Sequence, residues 1–368
     1  MKFIKTNVLF LLMSVIFLHT SLAARNTDSS GKKITGAESD AGNSGLTLPA
    51  GFSAIVVASN VGTARHIATT PEGDLYVKLD GNVNGKGILF IHPDKEGKAE
   101  TTTGFGDYGG TGILVKGGYL YASSDNDVYR YKLDANGKVA NGALPEKIVT
   151  GLINRHHHSS KSLALDNDGN LYVNIGAPSN ICAERGDEKK GQMPCPLLDS
   201  TGGIWMFKAD KLNQTYGDGV HYASGLRNVV GLDWNNITNT LFVMQHGRDN
   251  LSTTFPEYYT AKQSAELPAE CMYEMHKGDN AGWPYIYYDW IQKKKMVCPE
   301  YGGDGKKEAD SKYINPVDAF PGHMAPDGFM FYTGNQFPEK YKNGAFIAFH
   351  GSWNRSPEPQ KGYLVAFV

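Results

Sequence analysis

The chain has 368 residues, a formal net charge of -2, 40% hydrophobic residues and 20% charged residues. This composition excludes a disordered chain, and the near-neutral charge gives no indication of a nucleic-acid partner. The 43 glycines and 20 tyrosines favour tight turns and aromatic-rich strands over long helices. We therefore expect an all-β fold.

Residues 1–24 have the pattern of a secretory signal peptide. Two lysines precede an apolar run from Asn7 to His19, and the small residues Ser21 and Ala23 mark a cleavage site. An uncleaved membrane anchor is the alternative, but the run is short for a span of roughly 20 residues. The pattern predicts a secreted or periplasmic protein that keeps no stable membrane span after signal cleavage.

Residues 25–45 are polar and poor in large apolar side chains, which predicts a flexible linker before a folded domain over residues 46–368. Within the domain, a turn rich in Asp, Asn and Gly repeatedly precedes a short strand of β-branched and aromatic residues. Each copy is typical of a β-hairpin. The copies occupy residues 70–79, 115–124, 165–175, 233–245 and 341–350.

Short strands that repeat at intervals of roughly 40 to 50 residues are typical of a β-propeller. The wide interval before the fifth copy leaves room for one diverged blade, so the pattern predicts six blades. A β-sandwich or two stacked domains are the alternatives, but neither repeats one turn-strand phrase at this spacing. Little sequence follows the fifth copy, and we therefore expect the last blade to be incomplete.

The four cysteines are compatible with disulfides in an oxidising compartment. Cys182 and Cys195 flank one polar loop, and Cys271 and Cys298 flank the segment GWPYIYYDW. Pairing between these neighbours is therefore favoured among the three connectivities. A zinc site is the alternative, but no CxxC pair or HxxxH helix accompanies the cysteines.

Ligands of propellers gather at one end of the central channel, so polar residues that interrupt the apolar pattern beside the repeats are candidate site residues. An early start of the strand near residue 158 would place His156 and His158 on one face and His157 on the other. Histidine can act as a base near neutral pH, or it can be a polar rim residue. The candidates are His156, His157, His158, Arg227, Asn228, His246, Asp249, His323, Asp327, His350, Trp353 and Arg355.

Arg227 precedes the apolar run VVGLDW, so a buried guanidinium there would need an anion or carbonyl groups as partners. A structural ion pair is the alternative reading. Trp353 and Arg355 are two residues apart and share one face of an extended chain, where an aromatic plane and a cation could flank a flat anionic ligand.

These phrases resemble the quinoprotein sugar dehydrogenase family, and most closely its sorbosone dehydrogenase-like and pyranose dehydrogenase-like branch. The resemblance runs from about Leu48 to the last residue, and several phrases occur in the family's order. They are LPAGFSAIVVAS, HHHSSKSLALDNDGNLYVNIGAPSNICAE, DSTGGIWMFKAD, SGLRNVVGLDW, NAGWPY and APDGFMFYTGNQFPEKYKNGAFIAFHGSWNRS.

The resemblance implies a six-bladed propeller that binds pyrroloquinoline quinone (PQQ) and calcium. It implies oxidation of the C1 hydroxyl or aldehyde hydrate of a sugar, with electrons passed to an acceptor other than oxygen, such as a cytochrome or a quinone. His158 falls on the position of the base, and His157 falls on a neighbouring position where better-characterised members carry an acidic residue.

The same resemblance implies that Arg227 and Asn228 bind the cofactor, with the cation stabilising negative charge on the reduced quinone. The backbone carbonyls of Gly247 and Arg248 fall where the family supplies calcium ligands. Arg355 is expected to meet the cofactor's carboxylates.

Two tryptophans, Trp283 and Trp353, are expected to stack on the substrate or the quinone. One departure from the family is the absence of the lysine that some members place after the APxG phrase, since Thr333 follows instead.

Two further functions fit a propeller of this kind. One is a non-catalytic module that binds carbohydrate or a protein partner, and the other is a calcium-dependent lactonase.

Overall fold

The computed structural model describes residues 41–140, 144–310 and 312–368. The predicted signal peptide and the predicted linker up to residue 40 lie outside the described residues. The described part of the chain is built mainly from short strands, with two short helices, α1 (Leu251–Thr254) and α2 (Ala261–Glu266). The prediction of an all-β fold is therefore confirmed.

Sheets of three to five strands form the blades of a propeller, and all strand pairs in them are antiparallel except the β14–β8 pair. Blade 1 has the order β1-β2-β3-β4, and blade 2 has the order β14-β8-β7-β6-β5. These strands are β1 (Ala64–Thr69), β2 (Leu75–Val83), β3 (Lys86–Pro93), β4 (Ala99–Phe105), β5 (Ile113–Lys116), β6 (Tyr119–Ser123), β7 (Val128–Lys132), β8 (Glu146–Thr150) and β14 (Gln214–Thr215).

Blade 3 has the order β15-β13-β10-β9, blade 4 the order β16-β17-β18-β21, and blade 5 the order β22-β23-β24. Their strands are β9 (Leu163–Leu165), β10 (Asn170–Ile175), β13 (Gly203–Lys208), β15 (Val220–Ser224), β16 (Val229–Asn235), β17 (Thr240–Gln245), β18 (Glu270–Met275), β21 (Asp318–Phe320), β22 (Pro326–Phe331), β23 (Ala345–Phe349) and β24 (Leu364–Phe367).

Two further hairpins project from the blades. They are β11 (Ala183–Glu184) with β12 (Asp187–Gly191), and β19 (Ile286–Asp289) with β20 (Lys294–Val297). No helix in the described part of the chain has the length and hydropathy of a membrane span.

The described residues form five blades, so the prediction of six blades from the sequence is wrong. The long interval before the last repeat was expected to hold a diverged blade. It holds instead the two helices, the β19–β20 hairpin, and strands β18 and β21, which complete blade 4. Blade 5 has three strands, one fewer than the smallest of the other four blades.

The blades form because each repeat combines a polar turn with an apolar strand. In blade 3 the carboxylate of Asp166 accepts hydrogen bonds from the backbone amides of Asp168 and Asn170, which closes the turn before β10. Five of the six side chains of β10 are buried. Burying one large aliphatic side chain contributes roughly 1.5–3 kcal/mol, so these strands carry much of the stability.

Apolar clusters fill the spaces between neighbouring blades. One cluster joins Leu171 and Val173 of blade 3 to Val128 and Ile148 of blade 2. The innermost strands β1, β5, β9, β16 and β22 follow one another around the central channel. His66 of β1 donates from Nε2 to the carbonyl of Asp327 in β22 over 2.7 Å, which joins the first blade to the last.

One of the two predicted disulfides is present. Cys182 and Cys195 are bonded and tie together the ends of the β11–β12 loop. The predicted pairing of Cys271 with Cys298 is wrong, since both are buried free thiols. Cys271 lies in β18 of blade 4, whereas Cys298 follows the separate β19–β20 hairpin and packs in a different apolar cluster. Sequence proximity to the same segment did not bring the two thiols together.

Candidate functional site

Polar side chains converge at the end of the channel where the innermost strands begin. His158 precedes β9, Asn228 precedes β16, and Asp327 is the second residue of β22. Strand β17 is antiparallel to β16, with Gln245 opposite Val229, so the residues after Gln245 return to this same end. The topology therefore gathers residues that are distant in sequence.

The three histidines lie in a turn and not in a strand. His156 and His158 both have positive φ values, of 60° and 52°, and β9 begins only at Leu163. The expected alternation of faces is therefore wrong. The His157 and His158 rings stack instead, with centroids 4.0 Å apart, while His156 and His157 are exposed.

His158 is held as a neutral imidazole. Its Nδ1 lies 2.6 Å from the carbonyl oxygen of Ala177, so Nδ1 carries the proton and donates, and Nε2 keeps its lone pair. Burial lowers the pKa of His158 to about 2, with additional lowering by Arg227 and His157. Nε2 is therefore unprotonated throughout the neutral range, with its lone pair free.

Arg227 is buried, with 5% of its surface exposed. Its Nη1 donates to the carbonyl of Gly247 over 3.0 Å, and its Nη2 donates to Oδ2 of Asp249 over 2.6 Å. Burial lowers the pKa of Arg227, and Asp249 opposes that shift. The guanidinium is thus a buried cation with one carboxylate partner.

Gly176 lets both His158 and Asn228 pack closely against the backbone at this position. A Cβ atom added at Gly176 would lie 2.6 Å from Cβ of His158 and 3.0 Å from Oδ1 of Asn228. A real Cβ atom does not come within 2.6 Å of another carbon, so any other residue at 176 would displace His158 and crowd Asn228.

The two residues proposed from the resemblance as calcium ligands lie beside Arg227. The Gly247 carbonyl accepts from Arg227, and the Gly247 amide donates to Oε2 of Glu270 over 2.9 Å. The Arg248 side chain is buried against Glu300, with Nη1 2.5 Å from Oε1. A carbonyl has two lone pairs, so the Gly247 oxygen can accept from Arg227 and still bind a cation.

Three acidic residues without a role predicted from the sequence hold the segment from Arg227 to Asn228 and the segment from Gly247 to Asp249 in place. Asp249 pairs with Arg227, Glu300 pairs with Arg248, and Glu270 accepts from the amides of two loops. Glu270 is 2% exposed although it carries a carboxylate. A charged residue at the start of the buried run ECMYEM is the signal that could have identified it.

Arg355 lies apart from these groups. It is 1% exposed and donates to the carbonyls of Pro359, Ala265 and Gly322 and to the carboxylate of Glu266. These contacts tie the segment after β23 to α2. Its predicted role at the cofactor stays a prediction, and this placement favours a structural role.

The two predicted substrate tryptophans have opposite environments. Trp283 is 4% exposed, donates from Nε1 to the carbonyl of Asn180, and packs beside the disulfide. Trp353 is 74% exposed and precedes Asn354, whose amide donates to Asp249. Trp353 therefore presents its ring to solvent, whereas Trp283 is packed in the interior.

Two histidines and an arginine surround Asp327. His246 Nε2 lies 3.3 Å from Oδ1 of Asp327, and Arg65 Nη1 lies 3.9 Å from Oδ2. The His66 ring bonds the Asp327 carbonyl, and burial lowers the pKa of His66. This cluster adds a further carboxylate to the site, in addition to those of Asp249, Glu270 and Glu300.

The donor set fits an anionic, oxygen-rich ligand. In the described ranges, Nε of Arg227 and Oδ1 of Asn228 and Asn354 are buried without a hydrogen-bond partner. Such orphaned groups are costly unless a ligand satisfies them. An ortho-quinone with carboxylates would satisfy the cation, and a calcium ion would accept the oxygens of Asn228 and Gly247. Among the described residues, no cluster of three or more His, Cys, Asp or Glu forms a metal site by itself.

Comparison with known proteins identifies the family. The family model described as TrAA12-like matches residues 46–368. An uncharacterised protein of Borreliella burgdorferi is 26% identical over 361 residues, which cover 95% of this chain and 80% of that protein. A pyrroloquinoline quinone-dependent pyranose dehydrogenase of Coprinopsis cinerea is 24% identical over 283 residues, which cover 70% of this chain.

The chain spans only 36% of the length of the Coprinopsis enzyme. The calcium structure of a Trichoderma reesei carbohydrate-active enzyme of family AA12 superposes with a TM-score of 0.66 at 20% identity, covering 85% of this chain and 78% of that one. This likeness confirms the propeller fold. The predicted resemblance to PQQ-dependent sugar oxidoreductases is confirmed by the family match, and the chain belongs to the TrAA12-like family.

Proposed function

We propose that this chain is an exported quinoprotein that binds PQQ and calcium and oxidises a sugar at its C1 hydroxyl or hydrate. The observation that carries the proposal is the pair formed by a neutral His158 and a buried, partly unpaired Arg227 at one channel mouth. The relatives support the cofactors, since one is named as PQQ-dependent and another was solved as a calcium structure.

His158 is the proposed base. The Ala177 carbonyl fixes the tautomer and the orientation of the ring, so Nε2 accepts the proton of the substrate hydroxyl. Burial beside Arg227 keeps the ring neutral before the reaction, and the proton that it accepts must later return to solvent. PQQ, when bound, supplies the two-electron acceptor for the substrate's hydride.

Arg227 and Asn228 are the proposed cofactor-binding residues. Arg227 has an unpaired Nε that can donate to an anionic oxygen, and its burial away from water strengthens that interaction. Asn228 presents an unpaired amide oxygen suited to a hard cation. The carbonyls of Gly247 and Arg248 are the proposed further ligands of calcium.

His157 and Trp353 complete the proposed site. His157 stacks on His158 and restricts the tilt of the catalytic ring. Trp353 offers an exposed aromatic face, on which the apolar face of a sugar ring can stack. Electrons are proposed to leave to a cytochrome or a quinone, which is an external partner.

A cofactor titration followed by a substrate panel tests the proposal. Calcium-saturated protein is titrated with PQQ, and aldoses and sugar aldehydes are then assayed with an artificial dye under air and under nitrogen. We expect His158→Gln to bind PQQ as the wild type does and to lose about 10²- to 10⁴-fold in kcat. His156→Gln, which alters an exposed neighbour, is the matched control and should keep its activity.

Dye reduction that survives in His158→Gln would contradict the assignment of the base. Failure of the wild type to bind PQQ would reject the quinoprotein function. In that case assays of carbohydrate binding and of lactone hydrolysis distinguish the non-catalytic module from the lactonase.

A further inference from the structure

Asp249 contacts charged and polar groups on several sides. Its Oδ2 accepts from Arg227, and its Oδ1 accepts from the amide of Asn354 over 2.5 Å. Nδ1 of His323 lies 3.4 Å from the same Oδ1. Asn180 fixes the backbone on both sides, accepting from the Asp249 amide and donating to its carbonyl. The position of this carboxylate is therefore determined from several directions.

His323 faces an acceptor at each ring nitrogen. Nε2 lies 2.8 Å from the carbonyl of Ser264, and Nδ1 faces the carboxylate of Asp249. Both nitrogens can donate to these acceptors only when both are protonated. Burial lowers the pKa of His323 and Asp249 raises it; the net shift is upward, which favours the imidazolium. Asp249 thus lies between the Arg227 guanidinium and the His323 ring. Each of these cations offsets part of the negative charge that Asp249 presents to the other.

The same contacts determine what Arg227 can offer to a ligand. Gly247 and Asp249 occupy its two terminal nitrogens, and Nε is the buried nitrogen without a partner. Asp249 therefore orients the guanidinium toward a ligand at its remaining edge. The negative charge of Asp249 also offsets part of the positive charge that the guanidinium presents to a ligand at that edge.

We propose that Asp249 is the positioning residue that sets the charge of Arg227, and that His323 limits how much of that charge Asp249 cancels. This inference rests on the proposed PQQ site. Removing the negative charge at 249 should strengthen binding of an anionic cofactor. Removing the cation at 323 should weaken it, because Asp249 then acts on Arg227 alone.

Two variants with opposite expected signs test the inference. The dissociation constant of PQQ is measured by fluorescence titration of ligand-free protein in saturating calcium. Asp249→Asn keeps the shape and an acceptor for Arg227, and we expect about tenfold tighter binding. His323→Gln keeps donors for Ser264 or Asp249, and we expect about tenfold weaker binding.

Asp233→Asn is the matched control. This carboxylate also lies on an innermost strand, but it accepts from the backbone amides of Trp234 and Phe331 toward the other end of β16. Its replacement should leave the affinity for PQQ unchanged. A general loss of stability would affect this variant and the two test variants alike.

Tighter binding in Asp249→Asn together with weaker binding in His323→Gln supports the inference. Weaker binding in both variants would indicate a purely structural network and overturn it, as would unchanged binding in both. If Asp249→Asn does not fold, weaker binding in His323→Gln with an unaltered melting temperature supports the inference, and unchanged or tighter binding overturns it. If the wild-type protein does not bind PQQ, the failure is that of the proposed function.

Discussion

Replacing His158 should change how stability depends on pH. The folded ring has a pKa of about 2, whereas the unfolded chain has the ordinary value of 6.5. Below pH 6.5 the unfolded chain therefore binds a proton that the folded protein excludes. The contribution of the neutral His158 ring to the free energy of unfolding is therefore complete above pH 6.5. It is lost as the pH falls below that value, by ~1.4 kcal/mol per pH unit. At pH 5 the loss amounts to about 2 kcal/mol.

Urea unfolding of ligand-free protein at pH 8 and pH 5 measures this difference. His158→Gln carries no such proton, so its free energy of unfolding should fall by about 2 kcal/mol less than that of the wild type. Burial also lowers the pKa values of His66 and His221, while the pKa of His323 is raised. These groups are common to both proteins, and their contributions cancel in the comparison.

His156→Gln is the control, because this neighbour is exposed and only its backbone amide bonds Asn154. It should show the pH dependence of the wild type. Identical pH dependence in wild type and His158→Gln would refute the reasoning, since it would mean that folding does not suppress protonation of this ring.

Three other substitutions test separate parts of the site. Glu300→Gln leaves the Arg248 cation buried without its counter-ion and should lower the free energy of unfolding by about 3–5 kcal/mol in urea titrations; a loss below 1 kcal/mol would show that the pair is not desolvated. Cys182→Ala opens the loop closed by Cys195 and should cost about 2–4 kcal/mol, whereas a reductant should then have no further effect on the melting temperature. Gly176→Ala should displace His158, lower kcat about 10²-fold and also lower the melting temperature, because the added methyl group would overlap Cβ and the carbonyl oxygen of His158; unaltered kcat would show that the turn can accommodate the methyl group.

The sequence predicted the repeating units well because each blade is a local structure. An Asp or Asn turn and an alternation of side chains are encoded within ten residues, as at Asp166 and β10. The blade count was less predictable, because β18 and β21 pair across the insertion that contains the β19–β20 hairpin. A long interval in sequence does not reveal whether it holds a new sheet or completes an old one.

Candidate site residues could be proposed from the sequence only where they belong to a short local motif. His158, Arg227 and Asn228 could be proposed as site residues from their phrases, whereas the partners that hold them could not be predicted. Glu270 and Asp249 act through contacts with residues about 20 or more positions away in sequence, which no local pattern records. The same limit explains Arg355, whose acceptors in α2 and near Gly322 are set only by the folded arrangement.

Strand β14 has a mechanical consequence for the propeller. It follows β13 of blade 3 in the chain, yet it pairs in parallel with β8 of blade 2. Gln214 reinforces this crossover, since its amide donates to the carbonyls of Ile148 and Lys208, one on each blade. Neither blade can therefore separate from its neighbour without breaking backbone pairing. We therefore expect the backbone amides of blades 2 and 3 to exchange their hydrogens with solvent as one cooperative unit. The turn that contains His158 lies between these two blades and should keep its position as long as they stay paired.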